Sequence, residues 1–105
     1  MRKLTVKRKR HAAGGLFKDT LYIEDITSST TVLDIPCRKL GTLKNGEEKS
    51  FEISEGQARV IVVPKIINIY HGSDIAEIPW GTEDVVLCGQ HHFDIVCGNS
   101  FRFDK

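Results

Sequence analysis

Hydrophobic and polar residues alternate along many short stretches of the chain, and a period of two is typical of β-strands with one buried face. Near the start, Leu4 and Val6 alternate with polar neighbours, which predicts a first strand over residues 2–10. No stretch of ten or more residues repeats its apolar positions with the period of a helix. The alternation predicts further strands at 18–26, 31–35, 40–43, 49–53, 58–63, 65–70, 85–88, 93–97 and 101–104. The last of these strands is predicted to point its two phenylalanines inward.

The strongest turn signal in the sequence is Asn45-Gly46, which lies between two alternating stretches. An Asn-Gly pair readily supplies the two positive φ angles of a type I′ hairpin turn. We therefore expect a hairpin that joins residues 40–43 to residues 49–53. The next stretch, 58–63, is apolar on both faces, as in a strand that is covered on two sides. Together, residues 40–63 predict a three-stranded meander.

Proline and glycine mark predicted breaks elsewhere in the chain. Pro36 has no backbone N–H to donate, so it is predicted to end the strand at 31–35. Residues 71–84 contain two Gly, one Pro and several acidic residues. This composition predicts a long loop, with a short helical turn near 73–77.

The amino-acid composition favours the same fold class. The chain has 11 Ile and 8 Val against 7 Leu and 4 Ala, and β-branched residues pack better on a pleated sheet than in a helix. A length of 105 residues, of which 40% are hydrophobic and 28% charged, fits one globular domain with its own core. We therefore predict a single all-β domain over residues 1–105, an antiparallel β-sandwich or partly open barrel of about seven to nine short strands.

Charge, hydropathy and cysteine content narrow the classes of protein to consider. The net charge is +1, which gives no electrostatic reason to expect a nucleic-acid partner. No stretch approaches the roughly 20 apolar residues of a membrane span, and the N-terminus lacks the apolar segment of a secretory signal. The chain has three cysteines, Cys37, Cys88 and Cys97. An odd number favours reduced and mostly buried thiols, with one disulfide as the alternative in an oxidising compartment. We therefore expect a cytoplasmic protein without cofactor or membrane partner.

One part of the sequence resembles a known kind of module. The stretch GTLKNGEEKSFEISEGQARVIVV is similar to the core of small bacterial β-sandwich modules of the PEGA-like kind, which carry a G-x-L-x-x-G-E turn and then an F-x-I-x-x-G turn. The matching residues are Gly41, Leu43, Gly46, Glu47, Phe51, Ile53 and Gly56. The preceding LYIED resembles the V-Y-I-D-G strand of such modules, although Ile26 stands where they have glycine. Over residues 20–63, the resemblance implies a non-catalytic accessory module whose matching residues carry the fold.

Two cysteines and two histidines near the end of the chain have the residue types of a metal site. Cys88, His91, His92 and Cys97 supply the N and S ligands that a tetrahedral zinc site uses. On one continuous strand, Cys88 and His92 would lie about 13 Å apart, so a shared metal requires a tight turn at residues 89–92. A thiol nucleophile activated by a nearby histidine is a second possibility. The apolar neighbours of both cysteines favour two buried thiols that flank a polar hairpin turn.

A run of four basic residues ends the first predicted strand, and consists of Lys7, Arg8, Lys9 and Arg10. Lysine and arginine on an edge strand prevent its pairing with another sheet. Such a run also binds anionic ligands through phosphate contacts in other proteins. No aromatic RNA-binding motif or helix-turn-helix pattern accompanies it. We therefore predict a protective basic edge, with an anionic ligand as the alternative.

Trp80 lies between Pro79 and Gly81 in the predicted long loop. An exposed tryptophan on a β-sandwich loop can anchor a partner or stack on a sugar ring. More often, such a tryptophan covers one open end of the sandwich core. We predict that Tyr70, His71 and Trp80 form the ligand or partner surface.

Three hypotheses of function follow from these residues. The first is a non-catalytic interaction module, without catalytic residues, that pairs with a protein partner or a second copy through exposed strand edges. The second is a small metal-binding or thiol-dependent enzyme that uses Cys88, His91, His92 and Cys97. The third is a carbohydrate-binding module that uses Trp80 and Tyr70.

Overall fold

The computed structural model describes residues 1–10, 18–64, 73–94 and 98–104, with the main chain alone at 91–94 and 98–99. Nine strands and no helix occur in these residues. The strands are β1 (Arg2–Lys9), β2 (Asp19–Glu24), β3 (Thr31–Val32), β4 (Ile35–Leu43), β5 (Glu48–Ile53), β6 (Ala58–Pro64), β7 (Asp74–Ile78), β8 (Val85–Asp94) and β9 (Gly98–Phe103). The predicted strand at 65–70 lies outside the described residues.

The nine strands form two sheets. The four-stranded sheet has the order β5-β1-β8-β9, and the five-stranded sheet has the order β3-β4-β2-β6-β7. The predicted all-β sandwich is therefore confirmed. The pairing is antiparallel throughout except between β1 and β8, which run parallel with Leu4 opposite Val85.

The main core lies between the two sheets, because alternate residues of each strand face the other sheet. In β1, Leu4 and Val6 are completely buried, and Lys3 and Lys7 face solvent. Phe101 and Phe103 of β9 point into this core, as the alternation predicts. The other buried members are Leu21, Ile23, Leu43, Ile53, Val60, Val62 and Ile78.

A second apolar cluster covers the outer face of the five-stranded sheet. Its buried members are Val32, Ile35, Cys37, Ile61 and Val63, with Tyr22 partly buried beside them. Strand β6 contributes to both clusters, because Val60 and Val62 face the main core while Ile61 and Val63 face outward. The prediction of a central strand with two apolar faces is confirmed.

The predicted meander at residues 40–63 is wrong, because β5 lies in one sheet while β4 and β6 lie in the other. The N–H of Glu47 donates to the carbonyl of Lys44 at 3.0 Å, so a turn does form at Asn45-Gly46. Only Gly46 takes a positive φ, of 75°, as in a type II turn. The turn carries the chain from one sheet to the other, which an Asn-Gly signal cannot distinguish from a hairpin.

A two-residue hairpin forms instead at Leu33-Asp34, where φ is 53° and 64°. Two positive φ values at the central positions define a type I′ turn. Pro36 lies inside β4 and pairs with Thr31, so the prediction that it ends a strand is wrong. The hydrogen-bond ladder continues past Pro36. The carbonyl of Pro36 accepts from the N–H of Asp25 at 2.8 Å, and the N–H of Cys37 donates to the carbonyl of Thr30 at 2.9 Å.

The structure also changes two predicted elements in the second half of the chain. The predicted helical turn near 73–77 is wrong, and so is the continuous loop over 71–84, because β7 (Asp74–Ile78) lies within this stretch and pairs with β6. The predicted turn at 89–92 is wrong, because β8 continues through it. Gly89 has a packing role, since a Cβ atom there would lie 2.5 Å from the Phe101 ring.

Candidate functional site

A buried arginine organises one end of the sandwich. Arg2 begins β1 with its side chain turned inward, and the residue is only 4% exposed. Its Nη2 donates to the carbonyls of Pro79 at 2.7 Å and Gly56 at 3.3 Å, and its Nε donates to the carbonyl of Ser54 at 3.2 Å. One guanidinium therefore joins the loop after β5 to the loop after β7.

Two further hydrogen bonds fix the loop that follows β7. The N–H of Gly81 donates to the carbonyl of Glu55 at 2.9 Å. The N–H of Lys3 donates to Asp84 Oδ1 at 2.8 Å. The loop at 79–84 is thus tied to β1 and to the loop at 54–57 on both sides of Trp80.

Trp80 points into solvent from this fixed loop. The residue is 71% exposed, although hydrogen bonds hold its neighbours Pro79 and Gly81 in place. A groove of about 260 Å³, which we call the Trp80 groove, is lined by Gln57, Glu77, Ile78, Pro79 and Trp80. Gln57 and Pro79 meet here because Ala58 pairs with Ile78 in the sheet.

A charged cluster adjoins the Trp80 groove. A second groove of about 430 Å³ is lined by Glu24, Gln57, Arg59 and Glu77. Arg59 Nη2 donates to Glu24 Oε2 at 2.7 Å, and Arg59 Nε donates to Glu24 Oε1 at 3.3 Å. The side-chain hydrogen bond lowers the pKa of Glu24 and raises the pKa of Arg59, and the nearby charge of Glu77 raises the latter further.

The predicted partner surface is thus only partly described. Trp80 is 71% exposed and so does not cover one end of the core, whereas Tyr70 and His71 lie outside the described residues. Gln57 and Glu77 were not predicted as site residues. No sequence signal marks them, because only the pairing of β6 with β7 brings residues 20 positions apart to the same groove.

The candidate metal cluster does not have the turn that it requires. Strand β8 runs without a break from Val85 to Asp94, so Cys88 and His92 lie about 13 Å apart along it. Cys97 and the side chains of His91 and His92 lie outside the described part of the structure. Within the described residues, no group of three or more His, Cys, Asp or Glu could hold a metal ion.

The two described thiols differ in their environment. Cys37 is completely buried in the outer cluster, and burial raises the pKa of its thiol. Cys88 is half-buried on β8, where it lines a groove beside the basic run. The expectation of buried thiols therefore holds for Cys37, and the one at position 88 is reachable from solvent.

The basic run does not lie on an edge strand, so that prediction is wrong. Strand β1 is paired on both sides, with β5 and with β8. Arg8 faces the core, where its Nη1 lies 3.3 Å from Asp19 Oδ2 and donates to the carbonyl of Leu43 at 3.0 Å. Lys7 and Lys9 point outward and form ion pairs of 3.6 Å and 2.6 Å. These pairs join them to Glu48 and Asp104, respectively.

One more groove, of about 440 Å³, lies at the basic end of β1. Arg10 and Cys88 line it together with both positive and negative side chains. The mixture of charges weakens the argument for an anionic ligand, which stays a prediction.

Comparison with family models, with curated proteins and with solved structures found no match for this chain. In the described residues, no helix has the length and apolar character needed to cross a lipid bilayer. The geometry of the grooves and loops is therefore the basis for assigning a function.

Proposed function

We propose that this chain is a non-catalytic protein-interaction module whose partner docks on Trp80 and the groove beside it. The observation that carries the proposal is the combination of a tryptophan 71% exposed with a loop held by a buried arginine. Tryptophan is usually highly buried in folded proteins. A solvated tryptophan on a fixed loop has no role in the core, and its ring offers a large contact surface.

The fixed loop favours binding on energetic grounds. Tryptophan is enriched among the residues that dominate binding energy at protein interfaces. Ordering a flexible loop would reduce the affinity, whereas Arg2 holds this loop in place before any partner arrives. The polar Gln57 and Glu77 at the groove provide the hydrogen-bonding rim that surrounds an aromatic anchor in such interfaces.

Photo-crosslinking tests this proposal. Thr82, which is exposed beside Trp80, is replaced by p-benzoylphenylalanine, and the protein is irradiated in extracts of its source cells. We expect a discrete crosslinked protein, identified by mass spectrometry, that disappears when Trp80→Ala is added. The matched control is Val86→Ala, because Val86 is also largely exposed, at 58%, but lies on the other sheet. Crosslinks that are absent, or that survive Trp80→Ala, would contradict the proposal.

Self-association through strand edges is the second form of this proposal. The terminal strands of the described sheets are β5 and β9 in one and β3 and β7 in the other. Sedimentation velocity over a range of concentrations measures self-association directly. The cytoplasmic location, the bacterial origin and the PEGA-like resemblance stay predictions, as does carbohydrate binding at Trp80.

A further inference from the structure

We infer that the Trp80 groove binds the side chain of an arginine or lysine that the partner protein supplies. This inference deepens the proposed function, on which it rests, by naming the chemistry of the partner. An indole face and a carboxylate in one groove are the two groups that recognise a cation, the first through cation–π attraction and the second through charge.

The first support is the charge on the two loops that Arg2 joins. Residues 54–57 and 77–84 contain four acidic side chains and neither lysine nor arginine. The acidic residues are Glu55, Glu77, Glu83 and Asp84. The guanidinium of Arg2 and the N-terminal ammonium, which lies 3.9 Å from Glu55, offset part of this negative charge. The remaining carboxylates favour a partner that is positively charged.

The second support is the exposure and ion pairing of the Glu77 carboxylate. Its side chain is exposed, lines the Trp80 groove and also lines the neighbouring groove. Arg59 lines the neighbouring groove with Glu77, but its Nε and Nη2 both donate to Glu24. Among the ion pairs of the described residues, none includes Glu77. The carboxylate of Glu77 is therefore exposed at the groove that Trp80 lines, where only the longer-range attraction of Arg59 acts on it among the described residues.

The third support is the size of the groove. Its volume of about 260 Å³ lies below the range of roughly 300–1,000 Å³ that is usual for small-molecule sites. One long side chain of a partner fits such a space better than a whole ligand. Arginine suits it particularly, because a planar guanidinium stacks on an aromatic ring while its edge donates to a carboxylate.

Proton–nitrogen NMR tests the inference on the intact chain, whose single tryptophan gives one indole N–H signal. The probe is the peptide acetyl-Gly-Arg-Gly-amide, and the control peptide carries citrulline, which has nearly the same shape without the charge. We expect the arginine peptide to shift the Trp80 signal in a saturable manner at millimolar concentration. The citrulline peptide should shift it much less, and added salt should weaken the arginine effect.

Two variants make the test specific. Glu77→Gln should weaken the binding of the arginine peptide by about two- to fivefold, as expected for the loss of one exposed charge contact. Glu52→Gln removes the same charge from an exposed position on the other sheet and should leave the affinity unchanged. Both substitutions are at the surface, so the fold is retained.

Three results would overturn the inference. They are equal shifts from the arginine and citrulline peptides, no shift from the arginine peptide at millimolar concentration, or equal effects of Glu77→Gln and Glu52→Gln on its affinity. If one of these occurs while the crosslink at residue 82 still depends on Trp80, the proposed function stands and the cationic chemistry is wrong. If that crosslink is also absent, both are wrong.

Discussion

Replacement of Arg2 by methionine should destabilise the domain and loosen the loop that carries Trp80. Arg2 donates to three main-chain carbonyls at 2.7, 3.2 and 3.3 Å. Hydrogen bonds that involve a charged group contribute about 1.5–3 kcal/mol each, but two of these three are long and water can reach the carbonyls once the side chain is gone. We therefore expect a loss of about 2–4 kcal/mol in the free energy of unfolding. For a domain of this size, that loss lowers Tm by about 8–20 °C.

Thermal unfolding followed by far-UV circular dichroism measures this loss. Arg2→Lys serves as the matched variant, because one ammonium group keeps the charge but cannot reach all three carbonyls, and its Tm should lie between the other two. Hydrogen exchange of the Gly81 amide, which is bonded to Glu55, should be faster in Arg2→Met. A Tm within about 2 °C of the parent protein, or unchanged exchange at Gly81, would refute the role of Arg2 as the organiser of the two loops.

Three further predictions concern other parts of the fold. Gly89→Ala should prevent stable folding or lower Tm strongly, because the new Cβ atom would lie 2.5 Å from the Phe101 ring and 2.7 Å from a backbone carbonyl; thermal unfolding measures it. Glu24→Gln should make the free energy of unfolding depend less on pH in the acidic range. The pKa of Glu24 is lowered in the folded state, so its ionised carboxylate stabilises the fold above its ordinary pKa of 4.5. This stabilisation is lost as the pH falls through the folded-state pKa. In a titration of the native protein with a disulfide reagent, Cys88 should react much faster than Cys37, because the thiol of Cys37 is buried and its pKa is raised.

Each of these predictions has a clear contrary outcome. Gly56→Ala is the control for the glycine substitution, since a Cβ atom there meets only ordinary contacts; equal Tm losses at the two positions would contradict the packing role. Parallel stability curves of the parent and Glu24→Gln between neutral and acidic pH would contradict the ion-pair effect. Peptide mapping that finds the label first on Cys37 would contradict the burial of that thiol.

The alternation of apolar and polar residues predicts most of the individual strands, although β7 lies where the composition indicates a loop. The inward position of Leu4, Val6 and Phe101 follows from the pleat of a single strand, which is a local property. The buried Arg8 follows the same alternation, although its charge suggested a solvated position. Its placement in the core depends on Asp19, which lies on another strand.

The pairing of the strands could not be predicted, because it depends on contacts between distant residues. Asn45-Gly46 gives the same local turn signal whether the following strand returns to the same sheet or crosses to the other. Leu33-Asp34 gives little signal for a type I′ turn, since leucine rarely takes a positive φ. The surrounding sheet holds this conformation against the local preference.

In the candidate site, too, local signals are visible in the sequence and contacts between distant residues are not. Trp80 is a candidate from its own residue type and its Pro and Gly neighbours. Gln57 and Glu77 belong to different loops and strands, and only the register of β6 on β7 brings them to the groove. The role of Arg2 was equally hidden, because its three acceptors lie more than 50 residues away in the sequence.

The fluorescence of Trp80, the single tryptophan of the chain, tests most directly whether its indole stands in water on a fixed loop. We expect emission at the long wavelength of a hydrated indole, efficient quenching by acrylamide, and an anisotropy decay that follows the tumbling of the whole domain. Short-wavelength emission with weak quenching would show a buried ring, and a fast anisotropy decay would show a loose loop. Either result would contradict a preformed docking surface at Trp80.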